Sequence, residues 1–147
     1  MPIPGVVLRG QDYGIAITTK NLVKHFVLVF WDQRGAGKSY DKSIPSESIR
    51  VEQYIRDCNE LIDLLKGRFS QEKVFLAAHS WGTVIGLSIA SRYPEKLHAY
   101  VGISQIINWA QNDLFCYNWV KLKAEKANDR KTLKKLEALG TPLIRKA

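Results

Sequence analysis

Three short, uninterrupted apolar runs limit how this chain can fold. They are Phe26-Val27-Leu28-Val29-Phe30-Trp31, Val74-Phe75-Leu76-Ala77-Ala78 and Tyr100-Val101-Gly102-Ile103. A strand with one wet face alternates apolar and polar residues. The first run, without alternation, reads as a strand with both faces buried, as in a parallel sheet covered by helices, and the other two as further short strands. The stretches between the runs have the matching character. Across residues 49–66, Val51, Tyr54, Ile55, Cys58, Leu61, Ile62 and Leu65 recur at helical spacing on one face, and Gly67 suits the stop. Residues 82–92 read as a more apolar helix that ends before Tyr93-Pro94, because proline cannot continue it. Strand, helix, strand, helix, strand in close succession predicts an α/β fold, with a parallel sheet and flanking helices. Val6-Val7-Leu8 suggests one more short strand, and residues 15–25 a helix of poor period.

The pattern changes after residue 108. Residues 109–139 are rich in Lys, Ala, Glu and Leu and read as helical, with no strand after them. Leu114, Tyr117, Val120 and Leu122, then Leu133, Leu136 and Leu139, give partial amphipathicity. The expected organisation is an α/β core over residues 1–108 and a helical segment over 109–147.

Composition narrows the function classes. With 147 residues, 46% of them hydrophobic, the chain can build one core and not two. Its 24% charged and 10% aromatic residues are ordinary for a globular domain, which argues against disorder or a collagen-like chain. No apolar run approaches the roughly 20 residues of a membrane helix. The opening MPIPGVVLRG lacks the pattern of a secretory signal. Cys58 and Cys116 form neither a disulfide framework nor a metal spacing. A cytoplasmic protein without metal, cofactor or membrane contact is the expectation. The net charge of +8 is uneven: residues 113–147 carry +5 and the first 112 carry +3. A solvated helix face accounts for the basic end, and no nucleic-acid motif accompanies it.

The sharpest local feature is Ala78-His79-Ser80-Trp81-Gly82, set between an apolar strand and an apolar helix. Small-x-Ser-x-small is the pattern of a nucleophile elbow, where a serine sits on a strained strand-to-helix turn. The flanking residues must be small because strand and helix crowd together there. Ala78 and Gly82 meet that need, and Gly86 lets the helix approach the sheet one turn later. The Trp81 backbone N–H is placed to serve as one oxyanion donor. A plainer reading makes Ser80 an ordinary helix cap.

The longer context resembles one family. Trp31-Asp32-Gln33-Arg34-Gly35-Ala36-Gly37-Lys38-Ser39 and the run HSWGTVIGLSIASRYPEKL over residues 79–97 resemble the proline iminopeptidase branch of the α/β-hydrolases. The resemblance covers roughly residues 26–108, and the helical stretch after Trp109 resembles the start of that family's cap. It implies a partial α/β-hydrolase core with Ser80 as the catalytic nucleophile. Asp32, Arg34 and Gly35 would be structural, holding the loop beside the site. The substrate would be a small molecule or peptide with an amide or ester bond, and no cofactor is implied.

The departures are specific. The family's His-Gly-Gly-Pro-Gly oxyanion motif should fall near Arg9-Gly10-Gln11-Asp12-Tyr13, where only Gly10 fits, so Gly10 is the second expected oxyanion residue. The family order is serine, acid, histidine. No histidine follows His98, and Asp113 is the one carboxylate shortly after the third strand. His25, His79 and His98 are poorly placed to replace the base. The expectation is therefore the front part of a serine hydrolase, weak or inactive as an isolated chain, with an exposed sheet edge that invites a homodimer.

Alternatives follow from the same residues. One is an esterase or lactonase. Another is a catalytically dead scaffold binding a ligand or partner, with Trp81, Trp109, Phe115, Tyr117 and Trp119 lining a groove. A third is a nucleotide-binding protein, since Gly35-Ala36-Gly37-Lys38-Ser39 resembles a phosphate loop. There the first glycine of Gly-x-x-x-x-Gly-Lys-Ser is replaced by Asp32.

Overall fold

Apolar side chains on both sides drive a strand into a sheet's interior, and Val74–His79 takes such an inner place. The structure is a computed structural model that describes residues 3–8 and 20–142. Its strands are β1 (Ile3–Leu8), β2 (Phe26–Phe30), β3 (Val74–His79) and β4 (Leu97–Ile103). All pair in parallel, in the order β2-β1-β3-β4. The third apolar run thus belongs to a longer strand, which begins where Leu97 pairs with Val74. Likewise β1 starts at Ile3 rather than Val6.

Two helices make the crossovers: α1 (Val51–Phe69) between β2 and β3, and α2 (Gly82–Arg92) between β3 and β4. Helix α1 does not stop at Gly67. It continues to Phe69 and turns at Ser70, which adopts the left-handed φ of 50°. There the Ser70 N–H donates to the Gly67 carbonyl and the Gln71 N–H to that of Lys66, closing the last turn. Of the helix expected over residues 15–25, only a 3-10 turn at Leu22–Lys24 is seen, and residues 15–19 lie outside the described residues.

The core forms where the amphipathic face of α1 meets the sheet. Ile55, Cys58, Ile62 and Leu65 pack with Val74, Leu76 and Ala78 of β3, Ile85 and Ile89 of α2, and Leu97 of β4. Each fully buried aliphatic side chain contributes about 1.5–3 kcal/mol, so this cluster anchors β3 and α2, the two elements that flank Ser80.

The chain divides into two compact units, residues 1–106 and 107–147. In the second, residues 109–139 are not one helix. They form α3 (Trp109–Lys126) and α4 (Arg130–Leu139). Asn128 breaks the run with a φ of 52°, and the Asp129 carboxylate caps α4 by accepting from the Thr132 N–H at 3.0 Å. The Tyr117 hydroxyl donates to the Leu136 carbonyl across the hairpin at 3.3 Å. Among the described residues, no helix is long and apolar enough to cross a membrane.

Candidate functional site

Strand β3 ends at His79 and α2 begins at Gly82, which leaves two residues to reverse the chain. Ser80 makes that reversal with a φ of 51°, a left-handed conformation that costs a non-glycine residue about 1–2 kcal/mol. Backbone bonds hold it there. The Ser80 N–H donates to the Ile103 carbonyl at the end of β4 at 2.9 Å. The Ser80 carbonyl accepts from the Thr83 N–H at 2.9 Å and from the Thr83 hydroxyl at 2.5 Å. Ser80 itself is exposed, and among the described residues no side chain hydrogen-bonds to its hydroxyl.

Small residues surround the turn for a measurable reason. Ala78 and Gly82 are buried. A Cβ on Gly86 would stand 2.6 Å from Tyr100 Cε2 and 2.9 Å from the Ala78 Cβ. Trp81 starts the helix with αR backbone. Its indole N–H donates to Gln33 Oε1 at 3.3 Å, and its ring meets Tyr54 edge-on at 6.5 Å. The Trp81 side chain thus links the turn to the Asp32 loop and to α1.

The Asp32 loop is built around a carboxylate. Lys38 N–H donates to Asp32 Oδ2 at 2.9 Å, and the Ser39 hydroxyl donates to the Asp32 carbonyl at 2.9 Å. Gly35 (φ 75°) and Gly37 (φ 53°) both take left-handed backbone, and a Cβ on Gly37 would fall 2.5 Å from Asp32 Cγ. This disposes of the phosphate-loop resemblance: the Lys38 amide that a phosphate would need already serves Asp32. Arg34 makes a bidentate pair with Asp57 of α1, Nε to Oδ2 at 2.8 Å and Nη2 to Oδ1 at 2.7 Å. Gln53 Nε2 donates to the same carboxylate at 2.8 Å. Burial opposes ionisation of Asp57, but the hydrogen bonds from Arg34 and Gln53 outweigh it and hold the carboxyl below its usual range. A groove of about 340 Å³ lies between this loop and α1, lined among others by Trp31, Arg34, Leu61 and Leu64, and Ser80 is not part of its lining.

Gly10 lies outside the described residues. His98 stacks on Phe75 with ring centroids 5.0 Å apart. Among the described residues, none of His25, His79 or His98 hydrogen-bonds to Ser80, and no group of three or more potential metal ligands is found. Phe115 and Trp119 are exposed on α3. Thr83 and Asp57 were not singled out by the sequence, and Gly37 entered only through the run that resembles a phosphate loop.

Comparisons with known proteins agree with this architecture. A family model described as serine aminopeptidase, S33, matches residues 17–142. The chain is 35% identical over 102 residues to the probable aminopeptidase YbaC of Bacillus subtilis (strain 168), covering 69% of this chain and 32% of that protein. It is 32% identical over 139 residues to the serine hydrolase BPHL of Homo sapiens, covering 93% of this chain and 45% of that protein. The chain therefore spans less than half the length of these curated relatives. Among solved structures, a proline iminopeptidase-related protein from Thermus thermophilus superposes with a TM-score of 0.63 at 21% identity, over 81% of this chain and 42% of that one. An epoxide hydrolase from Vigna radiata gives a TM-score of 0.56 at 25% identity, over 73% and 34%.

Proposed function

Because the chain belongs to the serine aminopeptidase S33 family of α/β hydrolases, we propose that it carries the nucleophile of a proline iminopeptidase-like serine hydrolase. The single observation behind this reading is the exposed Ser80 at φ 51°, pinned between β3, β4 and α2. Ser70 has the same left-handed φ as a plain helix end, so what marks Ser80 is its place on the two-residue turn from β3 into α2, framed by the buried Ala78, Gly82 and Gly86. The chemistry is acyl transfer. Ser80 Oγ forms a bond to the substrate carbonyl carbon and gives up its proton, and the tetrahedral oxyanion rests on the Trp81 N–H. The amine or alcohol then leaves with a proton, and water cleaves the acyl-enzyme to release the acid and restore the hydroxyl. Gly10 is the reading's second oxyanion residue. Ala78, Gly82 and Gly86 fit the turn to the sheet, while Asp32, Arg34 and Gly35 shape the neighbouring loop.

The chain alone turns over slowly. Among the described residues no imidazole or carboxylate reaches the Ser80 hydroxyl, and loss of the base costs a serine hydrolase about 10⁶-fold in turnover. The same fact favours a second reading, a scaffold that binds a small ligand or partner without chemistry. Residues 109–147 are the cap segment in either case. A homodimer through β4 fits as well, since this edge strand leaves Val101 and Ile103 half exposed. The free thiols of Cys58 and Cys116 suit a reducing, cytoplasmic setting.

Intact-mass labelling with a fluorophosphonate, beside Ser80→Ala, tests the serine. Labelling that is slow, goes to completion only on long exposure and is abolished by Ser80→Ala is expected, with amide and ester substrates then compared for turnover. A folded chain that takes no label would leave the scaffold reading in its place.

A further inference from the structure

Resting on Ser80 as the nucleophile, we propose that Thr83 is a positioning residue whose buried hydroxyl locks the serine turn to the loop that follows β4. Thr83 is the one buried polar residue of the described core, with 0% exposure. Its Oγ1 donates to the Ser80 carbonyl at 2.5 Å and accepts from the Ile106 N–H at 3.0 Å. A helix-start threonine commonly bonds back to a carbonyl three residues earlier. That habit explains the first bond and not the second, which reaches 23 positions along the chain to an element of no helical relation.

The loop is secured at its other group too. Gln105 Nε2 donates to the Ile106 carbonyl at 2.9 Å, and the Tyr100 hydroxyl donates to Gln105 Oε1 at 2.6 Å. Both backbone polar groups of Ile106 are therefore satisfied by side chains, one from α2 and one from the loop itself. With the Ser80 N–H on Ile103, the Ser80 peptide is gripped at both ends: its N–H by the end of β4, its carbonyl by Thr83. A left-handed serine relaxes unless its surroundings over-determine it. Removing the hydroxyl leaves the Ser80 carbonyl with the Thr83 N–H alone and strands the part-buried Ile106 N–H on the other side. The turn then widens and Oγ departs from its attack position.

The test compares fluorophosphonate inactivation of the full chain with that of Thr83→Val, Thr83→Ser and Gln105→Ala. Circular dichroism and thermal melting confirm that each sample is folded. Thr83→Val keeps the shape and loses the hydroxyl, so its maximal inactivation rate is expected to fall between about ten- and a hundred-fold, with the half-saturating probe concentration unchanged. Thr83→Ser restores the rate to within a few-fold. Gln105→Ala, which leaves the turn's own bonds intact, shows a smaller loss of the same kind. It serves as the deciding variant should Thr83→Val fail to fold. Hydrogen exchange at Ile106 accelerates in Thr83→Val and not in Thr83→Ser. An unchanged inactivation rate in folded Thr83→Val, or in Gln105→Ala where that variant decides, overturns the positioning role while leaving the nucleophile standing. A folded parent chain that takes no label overturns both, and a label that persists in Ser80→Ala overturns the nucleophile itself.

Discussion

Gly86 and Tyr100 are in contact so close that no side chain fits between them: a Cβ on the glycine would lie 2.6 Å from the tyrosine ring. This contact sets the distance between α2 and β4, and thereby where Ser80 emerges. Gly86→Ala is expected to destabilise the fold by about 1–3 kcal/mol through overpacking. Gly67 is the matched control, since it sits inside α1 with nothing within 4 Å of its missing Cβ. Gly67→Ala is expected to stabilise by about 0.5–1 kcal/mol from helix propensity. Urea denaturation of both variants reads the two signs, and a destabilising Gly67→Ala would contradict the helix boundary at Phe69.

The strain at Ser80 separates two substitutions that both remove the hydroxyl. Ser80→Ala keeps a Cβ at φ 51°, whereas Ser80→Gly has none to strain. Ser80→Gly is expected to be the more stable of the two by about 1 kcal/mol, read from thermal melting at equal concentration. Equal melting temperatures would mean that the turn relaxes once the hydroxyl is gone.

The fold was legible because apolar runs without alternation have few alternatives to a parallel sheet. The serine turn was legible because small residues at 78, 82 and 86 leave a spaced trace. Other features carried no such trace. Ser70 ends α1 in a conformation usually given to glycine, so Gly67 drew attention instead. The break at Asn128 lay inside a helix-rich composition, and its signal was the short Asp129-to-Thr132 cap. Arg34 was picked from its loop, but its partner Asp57 stands 23 residues away on α1, and only the folded chain brings them together. Thr83 reads as one more residue of an apolar helix until its hydroxyl is seen between Ser80 and Ile106.

The two thiols are expected to differ sharply. Cys58 is fully buried beside Asp57, and burial first, then that charge, pushes its pKa up to about 12. Cys116 is exposed on α3. Treatment of the folded chain with iodoacetamide near pH 8 is expected to add one label, at Cys116, and two only after denaturation. Rapid double labelling of the native chain would show that α1 does not hold Cys58 against the sheet.

The Arg34–Asp57 pair carries a pH signature. Because Asp57 is more acidic in the folded chain than in the unfolded one, it stabilises the fold fully above the unfolded aspartate pKa, near 3.9. That stabilisation is lost as the pH falls through the lower folded value. Asp57→Asn keeps the shape but leaves the partly buried Arg34 without its charge partner. The variant is expected to melt several degrees below the parent at pH 7, with the gap closing as the pH drops below about 4. The same substitution loosens the loop that presents Gln33 to the Trp81 indole, so it also changes tryptophan fluorescence at neutral pH. Melting curves collected from pH 7 to pH 3 decide the matter: a gap that stays constant across that range would mean that Asp57 acts through packing alone and not through its charge.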